Sequence, residues 1–113
     1  MQPFIKKPPF YFVPILHYTM ECAQAVRKAF LTLQPDCIAV ELPETLQDEC
    51  LVAAARLPDL TCIITEDSDQ EKKILLAEPC DPVFEAMRCG HEANIPTFCI
   101  DLNVSSYPLH EDA

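Results

Sequence analysis

Between Phe10 and Leu16 every position except Pro14 is strongly apolar or of high strand propensity, the pattern of a strand buried on both faces of a parallel sheet. Pro14 lacks the N–H that a ladder needs, so this strand is expected to be irregular there or to lack a full neighbour on one side. The period changes at Thr19. Cys22, Ala25, Val26, Ala29, Phe30 and Leu33 recur at three- and four-residue spacing, with Glu21, Gln24, Arg27 and Lys28 elsewhere, which predicts a helix capped by Thr19 and broken at Pro35-Asp36. The run Cys37 to Leu42 predicts a second buried strand with Glu41 near its end. A second helical pattern begins at Pro43 to Thr45, places Leu46, Cys50, Ala53, Ala54 and Leu57 on its inner face, and stops at Pro58-Asp59. Leu60 to Thr65 predicts a third strand, Glu66 to Lys73 a polar loop, and Ile74 to Ala77 a fourth strand or an extended segment.

Asp81-Pro82 predicts a helix start, with aspartate accepting from free backbone N–H groups and proline at the position where its missing donor costs nothing. That helix carries Val83, Ala86, Met87, Gly90 and Ala93 and should stop near Asn94, ahead of Ile95-Pro96. Gly90 is the only glycine, and a glycine inside a helix costs about 1 kcal/mol relative to alanine, so a close approach to another element is its expected compensation. Thr97 to Ile100 predicts the last strand, ending in Asp101.

Strand alternating with helix three times predicts an α/β fold: a mostly parallel sheet of four to five strands with three helices on its faces, a Rossmann-like three-layer half-domain. Residues 1–9, with two Lys and three Pro, are expected as an extended lead-in, residues 10–104 as one α/β domain, and residues 105–113 as a polar tail. The chain has neither the G-x-G-x-x-G pattern nor a P-loop, which disfavours a glycine-cradled dinucleotide or nucleoside triphosphate.

At 113 residues the chain suffices for one core. Its 18 acidic and 8 basic residues, net −10, argue against nucleic acid or an anionic membrane surface as partner. A solvated acidic surface is the plain expectation, a cation-attracting cleft the sharper one. The 7 cysteines are odd in number and form no C-x-x-C; Cys22, Cys37, Cys50, Cys62, Cys89 and Cys99 fall in apolar segments, which suggests small buried hydrophobes in a reducing compartment. No leader pattern opens the chain and no apolar run approaches the ~20 residues of a membrane span, so a cytoplasmic location is expected.

In open parallel sheets ligands bind outside the carboxyl ends of the strands. His17, Glu41, Glu66 or Glu78, and Asp101 stand at or just past such ends. An imidazole beside a carboxylate can take a proton from water, and further carboxylates can hold a divalent metal or position a leaving group, so hydrolysis is the simplest chemistry that fits. Each residue has a plainer role too: His17 as a helix-entry residue with Tyr18 covering the sheet edge, Glu66 as a solvated loop acid beside Asp67 and Asp69, Asp101 as a turn cap, His91 and His110 as surface residues. Glu41 is harder to dismiss, because a carboxylate closing an apolar strand is costly unless paired.

The segments Leu16-His17-Tyr18, Glu41-Leu42-Pro43, Ala77-Glu78-Pro79 and Ile100-Asp101-Leu102 fall in the order of four motifs, R-H-H, E-G-P, A-E-x-x-P and I-D-L, of an uncharacterised family of large bacterial proteins. The chain resembles the opening of that family, which is related to the superfamily of erythromycin esterase, ChaN-like and TraB-like domains. The resemblance spans roughly residues 10–104. It implies a hydrolase-like domain of esterase or peptidase type in which His17 and Glu41 activate water, with Glu78 and Asp101 as supporting or metal-binding candidates and a small molecule or peptide as substrate. Tyr18 stands where the family has a second histidine and Leu42 where it has glycine, which departs from a two-histidine site. Family members continue for hundreds of residues beyond the equivalent of Leu102, so this chain is expected to be an N-terminal portion, inactive alone or docked to a C-terminal region. The rival expectation is a non-catalytic interaction module that keeps the fold and self-associates or docks a partner through an acidic surface or an uncovered sheet edge, with a homo-oligomer expected under either idea.

Overall fold

The computed structural model describes residues 4–16, 19–66 and 72–101. Its first element is local: β1 (Ile5–Lys7) and β2 (Phe10–Phe12) form an antiparallel hairpin turned at Pro8-Pro9, and all six strand residues are exposed. This corrects the expected buried strand from Phe10 to Leu16, whose first three residues pair instead with Ile5–Lys7 of the lead-in. A partner a few residues upstream closes a much smaller loop than one beyond the next helix, and Pro14 offers no donor with which to extend β2. Of the described residues 13–16, Ile15 packs against the core, as a partly buried neighbour.

Helix α1 (Met20–Leu33) follows, with Thr19 in extended conformation at its N-cap and Ala23, Val26 and Ala29 buried. Gln34 ends it in the left-handed conformation, φ 48°, and its N–H is donated to the Phe30 carbonyl. Strand β3 (Ile38–Pro43) leads through a 3-10 turn (Glu44–Leu46) into α2 (Gln47–Ala55), whose buried residues Cys50, Ala53 and Ala54 lie on the face that the spacing predicts. Strands β4 (Thr61–Glu66) and β5 (Lys72–Ala77) pair antiparallel from Thr61 opposite Ala77 to Glu66 opposite Lys72. Helix α3 (Pro82–Ala93) begins with the Phe84 N–H donating to the Asp81 carboxylate at 3.3 Å and ends at left-handed Asn94. Strand β6 (Thr97–Asp101) then returns beside β3.

The expected mostly parallel sheet does not form. Among the described residues the strands make three two-stranded sheets, β1–β2, β3–β6 and β4–β5, of which only β3–β6 is parallel. The reason lies in connection length. A parallel crossover needs a dozen or more residues, and the link from Glu66 to Lys72 is far shorter, so β4 and β5 can only fold back on each other. Between β3 and β6 the chain has α2, the β4–β5 hairpin and α3 with which to return, and there the parallel arrangement holds.

Helix α3 is the hub, packed against α1, α2 and β3. Phe84 and Met87 on α3, Leu42 on β3 and Cys50 and Ala53 on α2 are fully buried and share one core with Ile63 and Leu75 of the β4–β5 hairpin. Gly90 supplies the close approach that its cost demanded: a Cβ there would overlap Thr97 Oγ1 and stand 3.1 Å from Ile38 Cδ1, so α3 lies directly on the β3–β6 ladder.

Candidate functional site

The parallel register sets Pro43 opposite Asp101, after an irregularity between Val40 and Pro43, so the carboxyl ends of β3 and β6 share one rim. Glu41 and Asp101 are both on it, but on different sides of the ladder. Successive side chains alternate faces. Val40, Leu42, Thr97 and Cys99 point into the protein, while Ala39, Glu41, Phe98 and Ile100 lie exposed on the opposite face, which no other element covers among the described residues; Asp101, half-buried, has the parity of Thr97 and Cys99. His17 and Tyr18 lie outside the described residues, as do Asp67, Asp69, Leu102 and His110.

Glu78 stands apart from this rim's ladder. It follows β5, and because β5 is antiparallel to β4, Glu78 and the exposed Glu66 are at opposite ends of that hairpin. The Cys80 thiol donates to Glu78 Oε1 at 2.8 Å, and this hydrogen bond holds the thiol above its ordinary titration range. His91 is exposed, as expected of a surface residue. Among the described residues no group of three or more His, Cys, Asp or Glu side chains is placed to hold a metal ion. Two depressions among them, of about 480 and 450 Å³, lie beside Gly90, His91 and Phe98 and between α2 and β4, and neither includes Glu41, Glu78 or Asp101.

The thiols divide by environment. All seven cysteines are free; Cys50, Cys89 and Cys99 are buried, Cys22 and Cys80 are half-buried, and Cys37 and Cys62 are exposed, which corrects the expectation that the last two would be core residues. Cys62 lies on the outward face of β4 by alternation, and Cys37 lies just outside β3. A hydrogen bond with Cys99, together with burial, pushes the Cys50 thiol far up, so it is an inert core group. Burial and the neighbouring Glu85 push Cys89 up to about 11.

Cys89 belongs to a charged cluster that ties α1 to α3. Arg27 Nη1 is 3.3 Å from Glu92 Oε1 and 3.8 Å from Glu85 Oε1, and donates to Cys89 Sγ at 3.8 Å. The Glu92 hydrogen bond keeps the guanidinium charged. Glu85 is the strained member. Its side chain is nearly buried, Oε1 accepts no hydrogen bond although Arg27 is near, and burial raises its carboxyl above the usual range against the opposing pull of Arg88 and Arg27.

Two features have no counterpart in the sequence reading. The first is Gln47. Its Nε2 donates to the Thr97 carbonyl at 2.7 Å and its Oε1 accepts from the Cys99 N–H. This pair of bonds, to the residues before and after Phe98, is the pattern that a residue of a parallel neighbour would make, so one side-chain amide stands in for a strand on the free edge of β6. The second is the uncovered apolar face itself, with Phe98 49% and Ile100 60% exposed. The alternation Thr-Phe-Cys-Ile shows which residues share a face but not that one face stays bare.

No protein-family model, curated protein or solved structure matches this chain. Among the described residues no helix is long and apolar enough to cross a membrane.

Proposed function

We propose that the chain is an interaction module whose docking surface is the bare face of β3–β6, and that its occupant is a protein segment in which basic residues alternate with apolar ones. The observation that carries this reading is the state of the ladder: parallel strands occur with both faces covered, yet here Ala39, Phe98 and Ile100 form an apolar strip open to solvent with Glu41 beside it. The chemistry of the occupant follows from charge. The apolar strip is flanked by the Glu41 carboxylate, so a segment that sets an acid against it is repelled and one that sets a base against it is attracted. Gln47 closes the outer edge of β6 opposite Phe98, so the partner lies across the face and does not add a strand there. The test compares two labelled peptides, one alternating Lys with Phe or Ile and one alternating Glu with the same residues, on the parent and on Phe98→Ser and Ile100→Ser. Binding of the basic peptide alone, weakened about tenfold or more in both variants, is the expected result. Equal binding of both peptides, or no effect of either variant, defeats the reading.

A second reading keeps the hydrolase expectation. Its support is that β3 and β6, the two strands that carry Glu41 and Asp101 toward their carboxyl ends, do run parallel to a common rim, and that the motif resemblance implies a water-activating pair at His17 and Glu41. An ester and peptide hydrolysis screen, with and without divalent metals, decides it. Activity should be lost in His17→Ala and in Glu41→Ala; activity that survives His17→Ala removes that residue from the mechanism.

A further inference from the structure

We infer that the occupant of the bare β3–β6 face is the β1–β2 hairpin of a second copy of this chain. This rests on the docking reading above and names its partner.

The hairpin has the required composition on one face. The register Ile5 opposite Phe12 and Lys7 opposite Phe10 puts these four side chains on the same side of the ribbon, with the Phe10 and Phe12 ring centroids 6.3 Å apart. Ile5, Phe10 and Phe12 are 51%, 65% and 52% exposed. The other side is different, with Tyr11 stacked edge-on against Phe4 and Lys6 opposite it. One bare face is therefore three apolar side chains and one base. The other bare face, Ala39, Phe98, Ile100 and Glu41, is three apolar side chains and one acid.

Among the described residues, no other element covers either surface. The hairpin's apolar side chains are as open to solvent as those of β6, so the two faces are not packed on each other in one molecule. A two-stranded hairpin alone is marginally stable in water, and seating it on a second sheet removes that weakness. Each chain has one β1–β2 hairpin and one β3–β6 face. Two copies can exchange hairpins reciprocally, or successive copies can join head to tail. The net charge of −10 opposes any association at long range, but salt at physiological strength screens charges beyond about 8 Å, which leaves the local Lys7–Glu41 contrast to set the fit.

Sedimentation of the full chain over a concentration series tests this, with circular dichroism melts to verify that each variant folds. The parent should self-associate, and Phe98→Ser and the Phe10→Ser/Phe12→Ser double variant should each weaken association about tenfold or more. Lys7→Glu and Glu41→Lys should each weaken it by several fold, and combining both reversals in one chain should restore it. All of these positions are exposed, so the core is untouched. A parent that stays monomeric but binds the basic peptide in a Phe98-dependent way overturns the self-association and leaves the docking reading standing. A monomer that binds neither overturns both. Association that the hairpin variants leave unchanged, or that the paired reversals fail to restore, also overturns the inference.

Discussion

Gln47 offers a direct measure of what a missing strand is worth. Replacing it by alanine removes two hydrogen bonds, each worth about 0.5–1.5 kcal/mol net, and leaves the Cys99 N–H, on a buried residue, without its acceptor at a cost of about 1–3 kcal/mol. The expected loss is about 2–6 kcal/mol, large against the roughly 5–15 kcal/mol that holds a domain folded. Gln47→Glu separates the two bonds. The carboxylate keeps an acceptor for Cys99 but sets a second oxygen against the Thr97 carbonyl, whereas the protonated acid can donate to it as the amide does. The introduced carboxyl therefore has a raised pKa in the folded state. Its stabilising form is fully present below the unfolded-state pKa and is lost as pH rises through the folded-state value. Urea unfolding of parent and variant, compared at each pH, should show a deficit of about 2–3 kcal/mol at pH 7 that shrinks as the medium is acidified toward pH 4. An alanine variant within about 0.5 kcal/mol of the parent, or a glutamate deficit indifferent to pH, would refute the strand-mimic argument.

Gly90→Ala should destabilise by about 1–3 kcal/mol despite the gain in helix propensity, because the added methyl meets the stiff, buried Thr97 side chain, which itself donates to the Ile95 carbonyl at 3.2 Å; chemical denaturation should show part of the loss recovered in a Thr97→Ala background. Gln34→Gly should raise the unfolding free energy by about 0.5–1 kcal/mol, since a left-handed φ of 48° strains any residue with a Cβ; a destabilised variant in thermal melts would show that Gln34 makes a contact that matters more. Glu85→Gln should flatten part of the pH dependence of stability. The raised Glu85 carboxyl stabilises the folded state below the ordinary carboxylate range and loses that effect as pH rises through its elevated folded-state value, so the parent's melting temperature should fall across that window while the variant's falls less.

The helices were legible because their signals are local. The apolar period from Cys22 to Leu33, the Asp81-Pro82 start, the Asn94 stop and the compensation due at Gly90 all correspond to features within a few residues or one contact. Sheet pairing is decided between distant segments, and there local propensity misled: the strongly apolar Phe10 to Phe12 joins an exposed hairpin, and the loop after Glu66 was too short for the crossover that the strand–helix alternation suggested. The rim was half legible. Spacing placed Glu41 and Asp101 at strand ends, which the β3–β6 pairing makes adjacent, but alternation across an irregular register sends them to different faces, and Glu78 belongs to a separate hairpin. Gln47 left no trace in the periodicity, because a polar residue in a helix's first turn reads as solvent-facing.

The β3–β6 ladder joins segments separated by two helices and a hairpin, so during synthesis β3 emerges long before its companion. At translation rates of 5–20 residues per second the wait is roughly 3–10 s, many orders of magnitude longer than a hairpin or helix needs to form. Throughout that interval Val40 and Leu42 have no ladder to join and are open to capture by whatever greasy strand passes by. The nascent polypeptide thus meets its greatest hazard in the stretch of time before Thr97 to Asp101 leave the ribosome, and a chaperone that shields extended apolar segments would act on it there.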